Sequence, residues 1–350
     1  MTLDPNSTRR FGIGEWYGRS FTDLSDDERL ALARFKPDKK ARLSKTERDR
    51  LIALEEKAAS PSPLKTAEAK RLHDLRRKKE REQASNQICP FKGLSVDAIC
   101  TKDGGVCSLR LYEKHGDIAV PIQDERGGLR ALCPSRFHER NAVFQWAGQS
   151  ILGDSNPHLV GEVGFLESGG TIDGSEGEDV GRIDMVLVKR NLPADHPMQW
   201  CALEVQAVYF SGPEMKVEFD SIAQAGGARL FPTKLRRPDY RSSGPKRLMP
   251  QLQIKVPPLR RWGKKMVVVV DTAFYESMGQ MESVPEISNA DIAWLLVDFV
   301  KSADESRFEL TVSRTVFTTL ERAIEGLTGG TPVPLQTFEE RIAEKLSSRP

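Results

Sequence analysis

Gly181-Arg182-Ile183-Asp184-Met185-Val186-Leu187-Val188 and, one short loop later, Leu203-Glu204-Val205-Gln206-Ala207-Val208-Tyr209-Phe210 are the runs on which the fold of this chain turns. Both are apolar and rich in β-branched residues. They are bounded by Gly181, by Asn191-Leu192-Pro193 and by Gly212-Pro213, which predicts two largely buried strands joined by a loop. Each run carries an acid, Asp184 or Glu204, among apolar neighbours. Alternation along a strand sends Glu204 and Gln206 to one face and Val205 to the other. If the strands pair, two carboxylates and an amide oxygen converge, a donor set that suits Mg²⁺, which takes one or two carboxylates and keeps several waters. The plainer reading of the same residues is that Asp184 caps a strand and Glu204 makes a buried ion pair with Arg182.

Charge distribution favours the first reading. The net charge of +2 hides strong segregation: residues 34–82 carry 17 Lys/Arg against 9 Asp/Glu, and residues 229–265 carry 12 against the single acid Asp239. Residues 162–184 are the reverse, with seven acids and one arginine. Basic stretches around an acidic, metal-suited centre fit a polyanionic substrate better than a small neutral one. No apolar run approaches a membrane span, and the opening Met1-Thr2-Leu3-Asp4-Pro5 has no apolar signal region, so a cytoplasmic protein with no membrane partner is expected. At 350 residues the chain has room for one large domain with accessory modules.

Four of the five cysteines, Cys89, Cys100, Cys107 and Cys133, fall in one glycine-rich window. In a chain without an export signal they read as metal ligands rather than disulfides, and four thiolates suit a tetrahedral metal. Their spacing contains no Cys-x-x-Cys knuckle, so this is not a standard zinc finger. Cys201 reads as a small core residue. Upstream, residues 11–22 are glycine- and aromatic-rich and are expected to pack irregularly. Ser25…Glu28 and Ser44…Glu47 are capping boxes that predict helix starts. The second of these helices repeats at an offset of 21, with Leu43, Leu51 and Leu54 matched by Leu64, Leu72 and Leu75, which predicts a small helical module or, alternatively, a solvated charged linker. Downstream, residues 136–152, 214–226, 317–327 and 338–346 read as helices, and 159–166, 266–270, 292–300 and 308–312 as strands. Strands mixed with helices imply an α/β or α+β core.

In this order, Phe11-Gly12, Cys89-Pro90-Phe91, Gly105-Val106-Cys107, Cys133-Pro134, Asp184 and Leu203-Glu204-Val205-Gln206 resemble the NotI-type restriction endonucleases. The resemblance runs from about Phe11, and then from Cys89 to roughly Gly212, and it is weaker in the C-terminal third. It implies a PD-(D/E)XK nuclease fold, a mixed sheet flanked by helices, and a homodimer cutting double-stranded DNA at a GC-rich palindrome. It also implies Asp184, Glu204 and Gln206 in the active site, with a further acid from Glu167 or Glu178. Cys89, Cys100, Cys107 and Cys133 would bind structural iron, although the thiols alone allow zinc equally. The expected organisation is an opening segment at 1–22, a basic helical insertion at 23–86, a four-cysteine module at 87–137 and a nuclease core at 138–350.

Such chemistry asks for these residue types. Mg²⁺ held by Asp184 and Glu204 lowers the pKa of water and neutralises charge on the phosphate. Gln206 stands where related nucleases usually have lysine, and its amide can orient water but not accept its proton. Three acceptors stay open: hydroxide generated at the metal, a second carboxylate, or the substrate phosphate. Within the basic stretch 229–265, Arg236, Arg237, Arg241 and Arg247 are candidates for base or phosphate contact, and Lys246 and Lys255 for phosphate alone. Two other classes fit the same features: a repair nuclease or junction resolvase with this core, and a catalytically silent DNA-binding protein.

Overall fold

The structure, a computed structural model, describes residues 8–61, 64–92, 98–124, 127–167, 179–193, 195–303, 306–329 and 333–347. Its opening strand β1 (Arg9–Trp16) turns through β2 (Arg19–Ser20) into helices α1 (Asp26–Arg34), α2 (Lys45–Ala59) and α3 (Thr66–Ser85). Strands β3 (Val106–His115), β4 (Ile118–Pro121) and β5 (Arg130–Ala131) then complete an antiparallel sheet in which β1 pairs with β3. The opening segment is therefore a buried strand rather than an irregular coil. Its glycines are extended and closely covered: a Cβ on Gly12 would meet Pro232 at 2.6 Å, and one on Gly14 would meet Leu129 at 2.4 Å. Close approach, not turn geometry, explains them.

Both predicted capping boxes form, at Ser25 with Glu28 and at Ser44 with Glu47. The matched leucines of α2 and α3 face one another: Leu43, Leu51, Leu54, Leu72 and Leu75 are buried together with Leu64 against them. This small core excludes the solvated-linker reading. The connection between α1 and α2 is tied to the cysteine-bearing segment by Lys39 to Asp103 at 2.7 Å and by Arg42 donating to the Cys100 carbonyl at 3.3 Å.

After α4 (Ala142–Leu152) the chain builds a six-stranded sheet in the order β13-β12-β11-β8-β7-β6. Its first strands are β6 (His158–Glu167), β7 (Asp179–Val188) and β8 (Trp200–Val205), antiparallel neighbours. A short excursion follows: β9 (Phe210–Ser211), α5 (Lys216–Gln224), β10 (Arg237–Pro238), α6 (Tyr240–Ser243) and α7 (Met249–Arg261). The chain returns as β11 (Met266–Asp271), parallel to β8, then passes through α8 (Thr272–Glu276) to β12 (Ile292–Lys301) and β13 (Phe308–Thr318). Helices α9 (Leu320–Thr328) and α10 (Leu335–Ser347) end the described chain.

Two apolar layers sandwich this sheet. Leu252, Val256 and Leu259 of α7 pack with Val268, Trp294 and Ala323 on one face. Phe144 and Ala147 of α4 pack with Leu203, Val267 and Leu295 on the other. The architecture is mixed, with helices on a sheet of parallel and antiparallel strands. The predicted second strand stops at Val205, five residues short of the expected Phe210, because the chain turns off the sheet to form β9. The structured helix after Cys133 begins as a 3-10 segment and becomes α-helical only at Ala142. Among the described residues no helix is long and apolar enough to cross a membrane.

Candidate active site

Strand alternation decides where the acids go. Along β8, Cys201, Leu203 and Val205 pack on the α4 side, while Ala202 and Glu204 face α7. Glu204 is only 4% exposed and meets a cation there: Lys255 Nζ donates to Glu204 Oε2 at 2.7 Å and to Gln251 Oε1 at 2.8 Å. The same ammonium lies 3.6 Å from Asp184 Oδ2, whose carboxylate is more than half exposed. Gln251 and Lys255 are one turn apart on α7, and so present their ends together. Asp184, Glu204, Gln251 and Lys255 thus form one cluster between β7, β8 and α7.

Burial is the largest influence on Glu204 and pushes its carboxyl up to about 7; the Lys255 ammonium pulls it down, and neighbouring Asp184 pushes it up again. The group therefore changes charge near neutral pH. Gln206 lies one residue past the end of β8, its backbone N–H bonded to Val269 O at 3.0 Å and its amide donating to Ala207 O at 2.7 Å. A cleft of about 870 Å³ opens beside these residues, lined by Glu204, Gln206 and Gln251 with Lys102, Arg236 and Arg247.

Two expectations about charge need correction. Glu204 pairs with Lys255 and not with Arg182, which lies 3.6 Å from Glu162 at the surface. Lys255, expected to reach DNA phosphate, is 6% exposed and turned into the acid cluster, because α7 docks that face on the sheet. The other basic candidates divide. Arg236 is buried, donating to Pro213 O, Glu214 O and the Glu218 carboxylate, so its charge stays inside the protein. Arg237, Arg241, Lys246 and Arg247 are exposed, and Arg247 stacks over the Tyr209 ring at 4.6 Å.

Glu167 ends β6 opposite Asp179, is exposed, and is not among the residues lining the cleft. Glu178 lies outside the described residues. Cys89, Cys100 and Cys107 form one buried cluster with Phe91, and Cys133 N–H bonds to Cys107 O at 3.2 Å. All are free thiols. Burial raises the pKa of Cys89, Cys100 and Cys107, and the Cys133 sulfur adds to the rise in each. Among the described residues no group of three or more His, Cys, Asp or Glu side chains is assembled closely enough to hold a metal ion, so neither the thiols nor the carboxylates form a ready-made cage.

The parts unforeseen from sequence are Gln251 and the placement of Lys255. A signal existed in the apolar stripe Leu252, Val256, Leu259 with Gln251 and Lys255 at i and i+4. Pro257-Pro258 hid it, since prolines inside a helix remove hydrogen bonds and argue against one.

A family profile described as Restriction endonuclease NotI matches residues 73–310. That span contains the four cysteines, Asp184, Glu204, Gln206 and Lys255. Among curated proteins, none matches the chain.

Proposed function

The chain belongs to the NotI restriction endonuclease family, and from that membership we propose that it makes Mg²⁺-dependent double-strand cuts at a GC-rich palindrome through Asp184, Glu204 and Gln206. As a member of this family it is a type II restriction endonuclease, a site-specific deoxyribonuclease acting on DNA. The observation that carries the finer reading is the meeting of Glu204, Asp184 and Lys255 beside a cleft with basic residues on its walls. Restriction endonucleases use divalent metal ions, and Mg²⁺ supplies Lewis acidity that activates water and neutralises phosphate charge. The hard oxygens of Asp184 and Glu204 would hold it, one carboxylate exposed to solvent and one lining the cleft and braced by Lys255. Gln206, just past the end of β8 with its amide N–H held by the Ala207 carbonyl, would orient water through its amide oxygen. Glu167 and Glu178 remain the proposed sources of a further acid.

The rest of the reading follows the family resemblance. The core would be of the PD-(D/E)XK type. Cys89, Cys100, Cys107 and Cys133 would hold one structural iron or zinc, a reading supported by the free thiols of Cys89, Cys100 and Cys107 in one buried cluster and by the backbone bond from Cys133 to Cys107. Exposed Arg237, Arg241, Lys246 and Arg247 would meet DNA, with arginine forks suited to guanine O6 and N7. A palindrome is read by two-fold symmetry, so the active form would be a homodimer.

Purified protein, Mg²⁺ and a panel of GC-rich plasmids test the proposal, with the cut ends sequenced. Discrete breaks at one palindrome are expected. Random nicking, or no cleavage with any divalent metal, would refute it.

A further inference from the structure

We infer that Lys255 is a catalytic residue of the cleavage reaction, delivering from α7 the positive charge that β8 does not supply. The inference rests on the proposed assignment of Asp184 and Glu204 to the metal site.

The case begins with what surrounds the ammonium. Lys255 is almost completely buried, yet its Nζ meets three oxygens belonging to two other elements and to its own helix: Glu204 at 2.7 Å, Gln251 at 2.8 Å and Asp184 at 3.6 Å. A lysine is costly to bury, and a stability role alone is weak grounds for it, since apolar replacement of a buried ion pair is often neutral. Two of these partners, Glu204 and Gln251, also line the cleft. The third, Asp184, is more than half exposed. The ammonium therefore stands at the boundary between the core and the cleft.

Charge balance gives it work to do. Two carboxylates and one phosphodiester carry three negative charges against two on a divalent ion. A further negative charge develops as water attacks phosphorus. Gln206 is neutral and cannot offset it. The other cations lining the cleft are engaged elsewhere: Arg236 is bound by Glu218, Arg247 lies over Tyr209, and Lys102 donates to the Leu132 carbonyl at 3.5 Å. Lys255 brings the set with bound phosphodiester to neutrality, and it sits beside both carboxylates before substrate arrives, which is the preorganised electrostatic stabilisation that favours a charged transition state.

In the step itself, a bond forms from water oxygen to phosphorus and the bond from phosphorus to the leaving deoxyribose oxygen breaks. The proton released by water passes through solvent to that leaving oxygen. Lys255 remains an ammonium throughout, and the N–H not bonded to Glu204 or Gln251 would donate to the attacking water or a non-bridging phosphate oxygen.

The test uses the full chain and its target DNA. Lys255→Met should lower the single-turnover rate at saturating Mg²⁺ by about a hundredfold or more. Specific DNA binding in Ca²⁺ should stay within a few-fold of wild type. Mn²⁺ affinity of the free protein, read by electron paramagnetic resonance, should be unchanged or tighter, because a competing cation has gone. Lys255→Arg should recover part of the rate. Should Lys255→Met unfold, Lys255→Gln keeps a donor without the charge and carries the same expectation. Either neutral variant cleaving within threefold of wild type, or regaining full rate when Mg²⁺ is raised, would overturn the inference. Cleavage by Glu204→Gln would instead overturn the metal-site reading on which it rests.

Discussion

Arg136 and Lys255 are buried cations that each sit between two carboxylates, and the two clusters are finished differently. Arg136 lies between Glu15 and Glu139, wholly buried where the two sheets meet. Its Nε donates to Glu15 Oε2 at 2.9 Å, Nη1 to Glu139 at 2.6 Å and Nη2 to Phe308 O at 3.0 Å. Ser108 donates to Glu15 at 2.8 Å, and Leu310 N–H to Glu139 at 2.7 Å. Phe91 and Phe299 cover the two sides of the guanidinium at 4.4 and 4.5 Å. Every charge there is answered inside the protein. Around Lys255, by contrast, one carboxylate is buried and the other open, and the set borders a cleft. The planar, five-donor guanidinium closes a structural junction, while a compact ammonium leaves carboxylate capacity for a ligand.

The contrast predicts opposite consequences of disruption. The largest effect should come from Glu204→Gln or Asp184→Asn, each lowering the cleavage rate by about a thousandfold or more with little change in melting temperature. Rate and melting measurements on the same preparations check this, and a variant of either kind cleaving normally would dissolve the functional half of the comparison.

Arg136→Met should do the reverse. Leaving Glu15 and Glu139 buried without their cation should cost about 3–5 kcal/mol of stability, visible as a lower midpoint in denaturant. Cleavage per folded molecule should be unaffected at low temperature. A stable Arg136→Met protein would show that the junction tolerates unpaired acids.

The third expectation is a pH dependence. Because the Glu204 carboxyl is pushed up to about 7, a divalent ion bound at the proposed site would have to displace a proton below that pH. Apparent Mn²⁺ affinity should rise up to about tenfold per unit toward pH 7 and level off above it. The sign for the metal-free protein is opposite. A folded-state value above the unfolded one gives stability that is present at low pH and lost as pH rises through 7. Calorimetry of metal binding at several pH values measures the first trend, and flat affinity between pH 6 and 8 would refute it.

The smallest effect belongs to the exposed basic set. Lys246→Ala should weaken DNA binding evenly across sequences and reduce the salt slope by about one, leaving cleavage specificity intact. Unchanged affinity and slope would move the DNA surface away from this segment.

Much of this arrangement is legible in the chain itself. Strands β7 and β8 follow from apolar runs with bounding glycine and proline, and the capping boxes at Ser25 and Ser44 from local hydrogen bonding. The leucine repeat at an offset of 21 became the small core between α2 and α3. Such features depend on residues near one another along the chain, where periodicity and propensity operate.

What only the tertiary structure decided is which distant groups would share a site. Lys255 stands 51 positions beyond Glu204 and 71 beyond Asp184, and the pairing exists because α7 returns over the sheet between β8 and β11. The same folding drew Arg236 inward while leaving Arg237 exposed, although the two are adjacent in a basic run. It also turned a glycine-rich opening into a covered strand through contacts with Pro232 and Leu129. Residue type determined that charges, thiols and metal-suited oxygens were present. Burial and long-range packing, which no local pattern encodes, determined which of them were neutralised within the protein and which were left facing the cleft.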